Sequence, residues 1–446
     1  MKRRSGIMLT AVFALVVTAC SAGGGTTSSA VTTLSPGGSH APVTLTVWDY
    51  YTEHELAQLT DVIKLFNAQY PWIHVNFVPG KSFNDYVQGI QSGQAIDVGI
   101  DAGPDNVGKY CSSGAFEDLK PYIDASGIDV TKTFTPGALK YTSYNGVQCT
   151  LPMLTDAYGL YYNKTMFAQA GITSPPTTMS EFTADAKKLT VKNPDGTLKV
   201  AGYDPLSSLY ENPNLYDGLA WGASWYDSSG KSAFASDPKW AEMLQWEKPL
   251  IDYMGYNNLQ KMLAAAGGPD SEWGAQNLFE TGKVAMLFDG EWRESSIKFD
   301  KSNVNFGTAP TPVADDMSSI YGAGRVGGTV VGIPRTVQHP AEAWALVNFL
   351  TTNTESLTSL ASLLNNVPST YDSIKDTPLA KDPLFKTFLD IFQNPNSHFY
   401  TLTPAGTVAP DALTQFQEKW EAGSVSDLQA GLKQLADTVD QQSQLG

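Results

Sequence analysis

The sequence predicts an α/β fold, because segments with strand and helix patterns alternate along its first part. Residues 43–48 alternate β-branched and apolar side chains, as a strand does. Residues Glu53–Gln69 then carry apolar side chains at helical spacing. A strand at Ile73–Val78, a helix at 83–92 and a strand at 96–100 repeat the pattern. Such alternation is typical of βαβ units, so a parallel sheet is expected in this part of the chain.

The size and the charge of the chain narrow the classes of function. The chain has 446 residues, which at about 100–200 residues per domain predicts two or three domains. Its net charge of −16 disfavours nucleic-acid binding, which needs a basic surface. With 3 cysteines and 5 histidines, it is neither a disulfide-dense scaffold nor a zinc-finger array.

The first residues have the pattern of an export signal. Three basic residues at 2–4 precede a 13-residue apolar run at 7–19, which is too short to span about 30 Å of hydrocarbon. The run ends in Val-Thr-Ala-Cys, which resembles a bacterial lipobox and would make Cys20 the lipidated first residue of the mature chain. The alternative is an ordinary signal peptide with a chance cysteine. Residues 20–42 are rich in Gly, Ser and Thr and predict a flexible linker.

Two cysteines remain beyond the linker, Cys111 and Cys149. An exported protein meets an oxidising compartment, so this even pair predicts a disulfide. The alternative is two separately buried thiols.

The second part of the chain continues the mixture of helices and strands. Strands are predicted at 158–163, 284–288 and 329–333, and helices at 180–190, 239–253, 341–351, 355–364 and, in a long amphipathic stretch, 413–444. Residues 276–281 are expected to end a further helix at Gly282.

Motifs for catalysis or cofactor binding are absent or lie in the wrong context. The glycines at 322, 324 and 327 match a dinucleotide fingerprint on paper, but they lead into a strand and not into a helix. A glycine-rich hinge or ligand loop fits them better. The sequence has no His-Glu-x-x-His and no Cys-x-x-Cys, so we expect no metal and no cofactor.

Aromatic residues beside polar ones are the most informative class. Aromatic side chains make up 11% of the chain, and many lie next to carboxylates or amides in predicted loops. Flat rings can stack on the apolar faces of sugar rings while carboxylates and arginine bind the hydroxyls. The alternative is that these aromatics pack a core. The side chains picked on this chemistry alone are Trp221, Trp225, Trp273, Asp289 and Arg325.

Several segments, in order and spacing, resemble a known family. They are the opening strand with Trp48, Phe-Asn-Ala-Gln-Tyr-Pro at 66–71, Ile-Asp-Val at 96–98, Gly-Ala-Phe-Glu-Asp-Leu at 114–119, Tyr-Gly-Leu-Tyr-Tyr-Asn-Lys at 158–164, Phe-Glu-Thr-Gly-Lys-Val-Ala-Met at 279–286, Gly-Glu-Trp at 290–292 and Gly-Gly-Thr-Val-Val-Gly-Ile at 327–333. Together they resemble the extracellular solute-binding proteins of the sugar-binding family, which contains maltose-binding protein and serves ABC importers.

The resemblance implies a two-lobed periplasmic-binding-protein-like fold of type II, with a ligand cleft between lobes joined by hinge crossovers. The N-terminal lobe would hold 43–152 plus 327–366, and the C-terminal lobe 153–326 plus 367–446. Carried over residue by residue, the family pattern assigns ligand binding to Tyr50, Tyr51, Glu53, Asp101, Asp156, Tyr158, Glu291, Trp292, Gly327 and Gly328.

The function implied is capture of a carbohydrate, an oligosaccharide, and its delivery to the membrane permease of an ABC transporter. The protein would be a monomer at the extracellular face of the cytoplasmic membrane, attached through a lipid at Cys20, with no catalytic residue. One alternative is the same fold binding a polyamine, a metal or a phosphorylated compound. The others are a secreted glycoside-acting enzyme and a surface adhesin.

Overall fold

A computed structural model describes residues 31–38, 40–215, 218–268, 274, 276–399 and 401–443. The predicted signal peptide and the predicted lipid site at Cys20 lie outside the described residues. Within the described part, no helix is long and apolar enough to cross a membrane.

The described strands are β1 Val43–Asp49, β2 Ile73–Val78, β3 Val98–Asp101, β4 Thr150–Asn163, β5 Val191–Lys192, β6 Leu198–Val200, β7 Met286–Gly290, β8 Phe306–Ala309, β9 Val326–Gly332 and β10 Val367–Pro368.

The described α-helices are α1 Glu53–Gln69, α2 Phe83–Gln91, α3 Val107–Ser112, α4 Lys120–Ala125, α5 Val130–Thr133, α6 Pro136–Leu139, α7 Lys164–Gln169, α8 Met179–Leu189, α9 Asn212–Leu215, α10 Pro238–Met254, α11 Tyr256–Ala266, α12 Arg293–Phe299, α13 Pro340–Thr352, α14 Thr354–Leu364, α15 Tyr371–Asp376, α16 Pro383–Gln393, α17 Val408–Glu421 and α18 Leu428–Ser443. Short 3₁₀ turns lie at Pro104–Asn106, Leu219–Trp221, Asp315–Ile320 and Pro378–Lys381.

The main sheet is mixed: its part formed by the first three strands is parallel, as expected, and the later strands add antiparallel pairs. Its order is β10-β4-β9-β3-β1-β2, and β7 and β8 also pair with β4. The strands β2 and β3 lie parallel to β1, as the βαβ pattern predicts. The returning strand β9 is antiparallel to β3 and β4. Local alternation could not predict this, since β9 reaches the sheet from more than two hundred residues away in sequence.

The long strand β4 belongs to two regions of sheet. Its first part, from Thr150 to Ala157, pairs with β9. Its last part, from Tyr158 to Asn163, pairs with β7 and β8. The strand changes partners at Tyr158. One hydrophobic core packs against the first region alone, and a second core extends over both regions. One extended segment therefore connects the two halves of the fold.

Two predicted segments differ from the structure. The amphipathic stretch predicted at 413–444 is two helices, α17 and α18, because the chain turns between them and Gly423 takes a φ of 73°. This conformation favours glycine and ends a helix. Residues 276–281 form turns and not the end of a helix, and Asn277 caps these turns by accepting a hydrogen bond from the main-chain N–H of Phe279.

The last residues of the predicted linker lie against the first region of the fold. The N–H of Gly37 donates to the carbonyl of Gln69 at 3.0 Å. The ring of His40 stacks on Trp72 with centroids 4.1 Å apart. The described end of the 20–42 segment is therefore packed, because Trp72 offers it an apolar face.

Cys111 in α3 and Cys149, the residue before β4, form a disulfide in the structure, with their Cα atoms 5.3 Å apart. The bond joins a short helix to the start of the strand that connects the two halves. It closes a loop across a sequence separation of 38.

A buried carboxyl pair in the second half makes stability depend on pH. Glu247 in α10 is fully buried, and burial raises the pKa of its carboxyl well above the usual value, with the nearby Glu421 carboxylate adding to the shift. A raised pKa in the folded state means that stability is lost as the pH rises from about 4.5 through the folded value. We expect Glu247→Gln to raise the free energy of unfolding at pH 8 by about 1–3 kcal/mol.

The measurement is urea unfolding at pH 5 and pH 8, in which the gain from Glu247→Gln should shrink at pH 5. The matched control is Glu242→Gln on the exposed side of the same helix, which should change neither value appreciably. A gain of equal size at both pH values would contradict the burial argument.

Candidate ligand-binding site

Two tyrosines at the end of β1 meet a threonine on β9. The hydroxyls of Tyr50 and Tyr51 lie 2.9 and 3.3 Å from the Thr329 hydroxyl, and the two rings have centroids 4.1 Å apart. Burial raises the pKa of both phenols above their usual value, so they stay neutral hydrogen-bonding groups. The sequence analysis assigned the tyrosines to the site but missed Thr329, which lies inside a strand pattern with no distinguishing signal.

The end of β3 brings a buried carboxylate to the same edge of the sheet. Asp101 accepts hydrogen bonds from the Tyr110 hydroxyl and from the N–H of Gly103, the latter at 2.9 Å. Burial raises its pKa to about 6, although these hydrogen bonds oppose the shift. Both carboxylate oxygens of Asp101 therefore accept hydrogen bonds from neighbouring residues of the first half of the fold.

An aromatic pair and an arginine lie together in the second half of the fold, facing the first half. The rings of Tyr158 and Trp292 meet edge to face with centroids 5.4 Å apart. The guanidinium of Arg325 lies 5.6 Å from the Tyr158 ring and 5.5 Å from the Phe399 ring. Its Nη2 is 3.5 Å from Asp105 Oδ1, which belongs to the turn after β3. Arg325 therefore links the two halves of the fold across the cleft.

A small pocket beside this group has a cavity volume of about 20 Å³, which is room for about one water molecule in this structure. Its lining residues are Tyr158, Glu211, Leu219, Ala220, Phe288, Thr311, Val313, Ala323, Gly324 and Arg325. Apolar walls with a few convergent polar groups are typical of small-molecule sites. Glu211 has a φ of 63°, which is uncommon for a residue other than glycine and carried no signal in the sequence.

The carboxylate of Glu291 lies inside the protein where the chain crosses between the two halves, and not on the pocket wall. It accepts from the N–H of Ala157 at 2.9 Å, from Asn366 Nδ2 at 3.1 Å and from the N–H of Val367 at 3.3 Å. Asn366 Nδ2 also donates to Asp156 Oδ1 at 2.9 Å. The predicted site residues Asp156 and Glu291 are thus brought together through an asparagine that the sequence analysis did not select.

Three residues chosen for their chemistry lie in the interior of the second half. Asp289 is fully buried, and its Oδ2 accepts from Arg293 Nε at 2.5 Å. Trp221 packs on Trp246 and Trp225 on Trp240, at ring-centroid distances of 5.2 and 5.1 Å. In this structure Asp289, Trp221 and Trp225 do not line the pocket, since large rings gain most by full burial and the carboxylate is held by an arginine.

The remaining residues predicted to bind the ligand lie in three different places in the chain. Gly327 and Gly328 pair with Asp156 and Thr155 in the sheet. Gly328 has a φ of 144°, and a Cβ there would lie 2.3 Å from the carbonyl oxygen of Leu154, so the close approach of β4 and β9 requires glycine. Glu53 is the first residue of α1. Trp273 lies outside the described residues.

The two halves touch along a segment that follows α16. The carbonyl of Ser397 accepts a hydrogen bond from Lys140 Nζ. The Phe399 ring packs on Tyr141 with centroids 5.4 Å apart. A Cβ at Gly108 would lie 2.2 Å from the Thr403 carbonyl oxygen. The two halves are therefore in contact beside Arg325, whose guanidinium lies over the Phe399 ring.

In the described part of the chain, no three His, Cys, Asp or Glu side chains come together in a way that could hold a metal ion.

Comparison with known proteins assigns the family. The profile of the bacterial extracellular solute-binding proteins matches residues 52–355. The chain belongs to this family. The fold agrees: the mannotriose-bound structure of CpMnBP1 superposes with a TM-score of 0.80 at 23% identity, covering 89% of this chain and 100% of the other. The maltose-bound structure of T. maritima MalE3 has a TM-score of 0.70 at 22% identity, covering 89% and 98%.

Two relatives of this solute-binding protein are named for the sugars they bind. The maltotriose-binding protein of Pyrococcus abyssi is 24% identical over 349 residues, covering 77% of this chain and 70% of its own length. The maltooligosaccharide ABC transporter solute-binding lipoprotein of Streptococcus pneumoniae is 26% identical over 319 residues, covering 68% and 67%. The solute-binding protein thus has the two-lobed α/β fold expected from its sequence, of the type called periplasmic binding protein type II.

Proposed function

We propose that this solute-binding protein captures a carbohydrate, in particular an oligosaccharide, between its lobes and delivers it to the permease of an ABC transporter. The observation that carries the proposal is the group formed by Tyr158, Trp292 and Arg325 beside a largely apolar pocket. Such rings can stack on the apolar faces of a sugar, and the guanidinium can bind its hydroxyls. The sugar ligands named for relatives and structural neighbours support the same class.

The proposed mechanism is closure of two lobes on the ligand. The proposed lobes are 43–152 plus 327–366 and 153–326 plus 367–446. A ligand that contacts both lobes binds the closed state more tightly and so shifts the population toward closure. Tyr50, Tyr51 and Asp101 would serve the first lobe and Tyr158, Trp292 and Arg325 the second. No bond is broken in this scheme, so none of these residues is assigned a catalytic role.

We also propose that Cys20 carries a lipid that holds the monomer at the extracellular face of the cytoplasmic membrane. The lipobox-like residues at 17–20 support this, and one relative is named a lipoprotein. Anchoring would raise the effective concentration of the protein near its permease. A lipid detected by mass spectrometry on the mature N-terminus is the expected result.

The test of the ligand class is a thermal-shift screen of the mature chain with Cys20→Ser. The panel contains neutral mono-, di- and oligosaccharides, polyamines and sugar phosphates. A ligand at 100 times its Kd should add about 2.7 kcal/mol of stability. We expect one class of neutral oligosaccharide to produce the shift, with no product formed.

For the sugar found, Tyr158→Ala should weaken binding by about tenfold or more, because the ring is lost from the pocket wall. The matched control is Tyr371→Ala at the exposed start of α15, which should bind as the wild type does. A shift only with a polyamine or a sugar phosphate would refute the carbohydrate assignment. Release of shorter sugars would indicate an enzyme instead.

A further inference from the structure

A cluster of three side chains lies where the chain passes from one lobe to the other. Asp156 is in β4, two residues before Tyr158, where the strand changes partners. Glu291 directly follows β7 in the second lobe. Asn366 directly precedes β10, which pairs with β4 at Leu154 and Thr155. The cluster therefore connects two separate crossover segments and the second lobe at one point.

Most hydrogen bonds of the cluster converge on two carboxyl groups. One amide, Asn366 Nδ2, donates to Asp156 at 2.9 Å and to Glu291 at 3.1 Å. The main-chain N–H groups of Ala157 and Val367, one from each crossover segment, donate to Glu291 at 2.9 and 3.3 Å. Asn365 Nδ2 donates to the carbonyl of Glu291 at 2.8 Å. Rotation of the lobes about these segments would move Asn365 and Asn366, at the end of the first proposed lobe, relative to Asp156 and Glu291 in the second, and so would strain the bonds between them.

The two carboxyl groups interact strongly because they share a donor in a dry site. Glu291 is fully buried, and burial raises its pKa well above the usual value, with the Asp156 charge adding to the shift. Burial raises the pKa of Asp156 to about 7. Two neighbouring carboxylates in such a site cannot both be charged without a cost, so the pair retains a proton near neutral pH.

Five tyrosines, two arginines and one further carboxyl group lie around the pair. They are Tyr50 and Tyr51 after β1, Tyr141 before β4, Tyr158 and Tyr161 in β4, Asp289 in β7, Arg293 in α12 and Arg325 before β9. Burial raises the pKa of each of these tyrosines above its usual value, so all stay neutral. Arg325 is the cation that favours a charged Asp156, and Arg293 is bound to Asp289.

We infer that Asp156, Asn366 and Glu291 form a positioning cluster that couples lobe closure to the protonation of its carboxyl pair. With one proton on the pair, the shared amide and the two main-chain donors hold the crossover segments together. When both groups are charged, their repulsion is relieved by separation and hydration, which an open hinge provides. Opening therefore becomes more favourable as the pH rises through neutrality.

The experiment measures the ligand-free protein, so it does not depend on the identity of the solute. Small-angle X-ray scattering of the mature chain with Cys20→Ser, from pH 5.5 to 8.5, follows the radius of gyration. Each unit by which the closed-state pKa exceeds the open-state pKa changes the ratio of open to closed molecules by about tenfold. We expect the radius of gyration to increase with pH in the wild type and to stay constant in Asp156→Asn, which keeps an acceptor oxygen for Asn366.

The matched control is Asp204→Asn, since the Asp204 carboxyl is also buried and has a pKa of about 7 but accepts its hydrogen bond from the N–H of Leu206, away from the crossover. This variant should keep the pH dependence. A wild type whose radius does not change, or an increase that survives in Asp156→Asn, would overturn the inference. If Asp156→Asn does not fold, carboxyl carbon NMR of the wild type decides: a two-step, coupled titration supports the pair, and two independent ordinary titrations refute it.

Discussion

Replacing Arg293 with methionine is expected to lower the free energy of unfolding by about 3–5 kcal/mol at pH 7.5. The guanidinium is fully buried, with Nε 2.5 Å from Asp289 and Nη1 3.6 Å from Glu280. Its removal leaves two buried carboxyl groups without their cation. Urea unfolding of the ligand-free protein measures the loss, which should shrink at pH 5 because the carboxyl groups can then take up protons.

The chain offers a matched pair for this test. Lys386 and Asp390 in α16 have the same spacing of four residues and the same N–O distance of 2.5 Å, but both side chains are more than half exposed. Lys386→Met should therefore change the stability little, because water already screens that pair. An equal loss in both variants would show that burial does not account for the effect at Arg293.

Removing the disulfide with Cys111→Ala and Cys149→Ala should lower the free energy of unfolding by about 2–5 kcal/mol. The bond closes a long loop and fixes α3 to the start of β4. Without it, the unfolded chain gains conformational freedom. Thermal and urea unfolding, both with Cys20→Ser so that no free thiol can exchange, measure the loss.

A reductant separates the effect of the bond from that of the substitutions. Reduced wild-type protein should unfold with the same midpoint as the double variant, and reductant should not affect the variant further. A wild type that keeps its stability when both thiols are shown to be free would contradict the prediction.

The elements set by local pattern could be predicted from the sequence. The helix at Glu53–Gln69 was placed at its observed ends, and Ile73–Val78 is the observed strand. Both depend on side-chain periodicity within one segment. The direction of β9 and the split of the 413–444 stretch were not predicted, because the first depends on distant pairing and the second on a single turn at Gly423.

The site was only partly predictable, because residue type does not reveal which way a side chain points. Tyr158 and Arg325 do line the pocket, whereas Trp221 and Trp225 have the same chemistry but lie in the core. The sequence held a weak indication of a crossover at Asn366, because two asparagines follow the helical pattern of α14 and asparagine is common at helix ends. In the structure Asn365 ends α14 with a φ of 60°. Thr329 and Glu211 had no such indication, since their roles depend on contacts between segments that are far apart in sequence.

The strand β4 also restricts how this protein can evolve. Because its first half pairs with β9 and its second half with β7 and β8, the partners of this strand are encoded in several segments far downstream of it. A single genetic crossover anywhere between β4 and β9 would join a strand from one parent to partners from another. Exchange of a whole lobe between related genes would need several simultaneous breakpoints. The two lobes are therefore expected to share one ancestry, and new ligand preferences should arise by point substitution in the cleft and not by lobe shuffling.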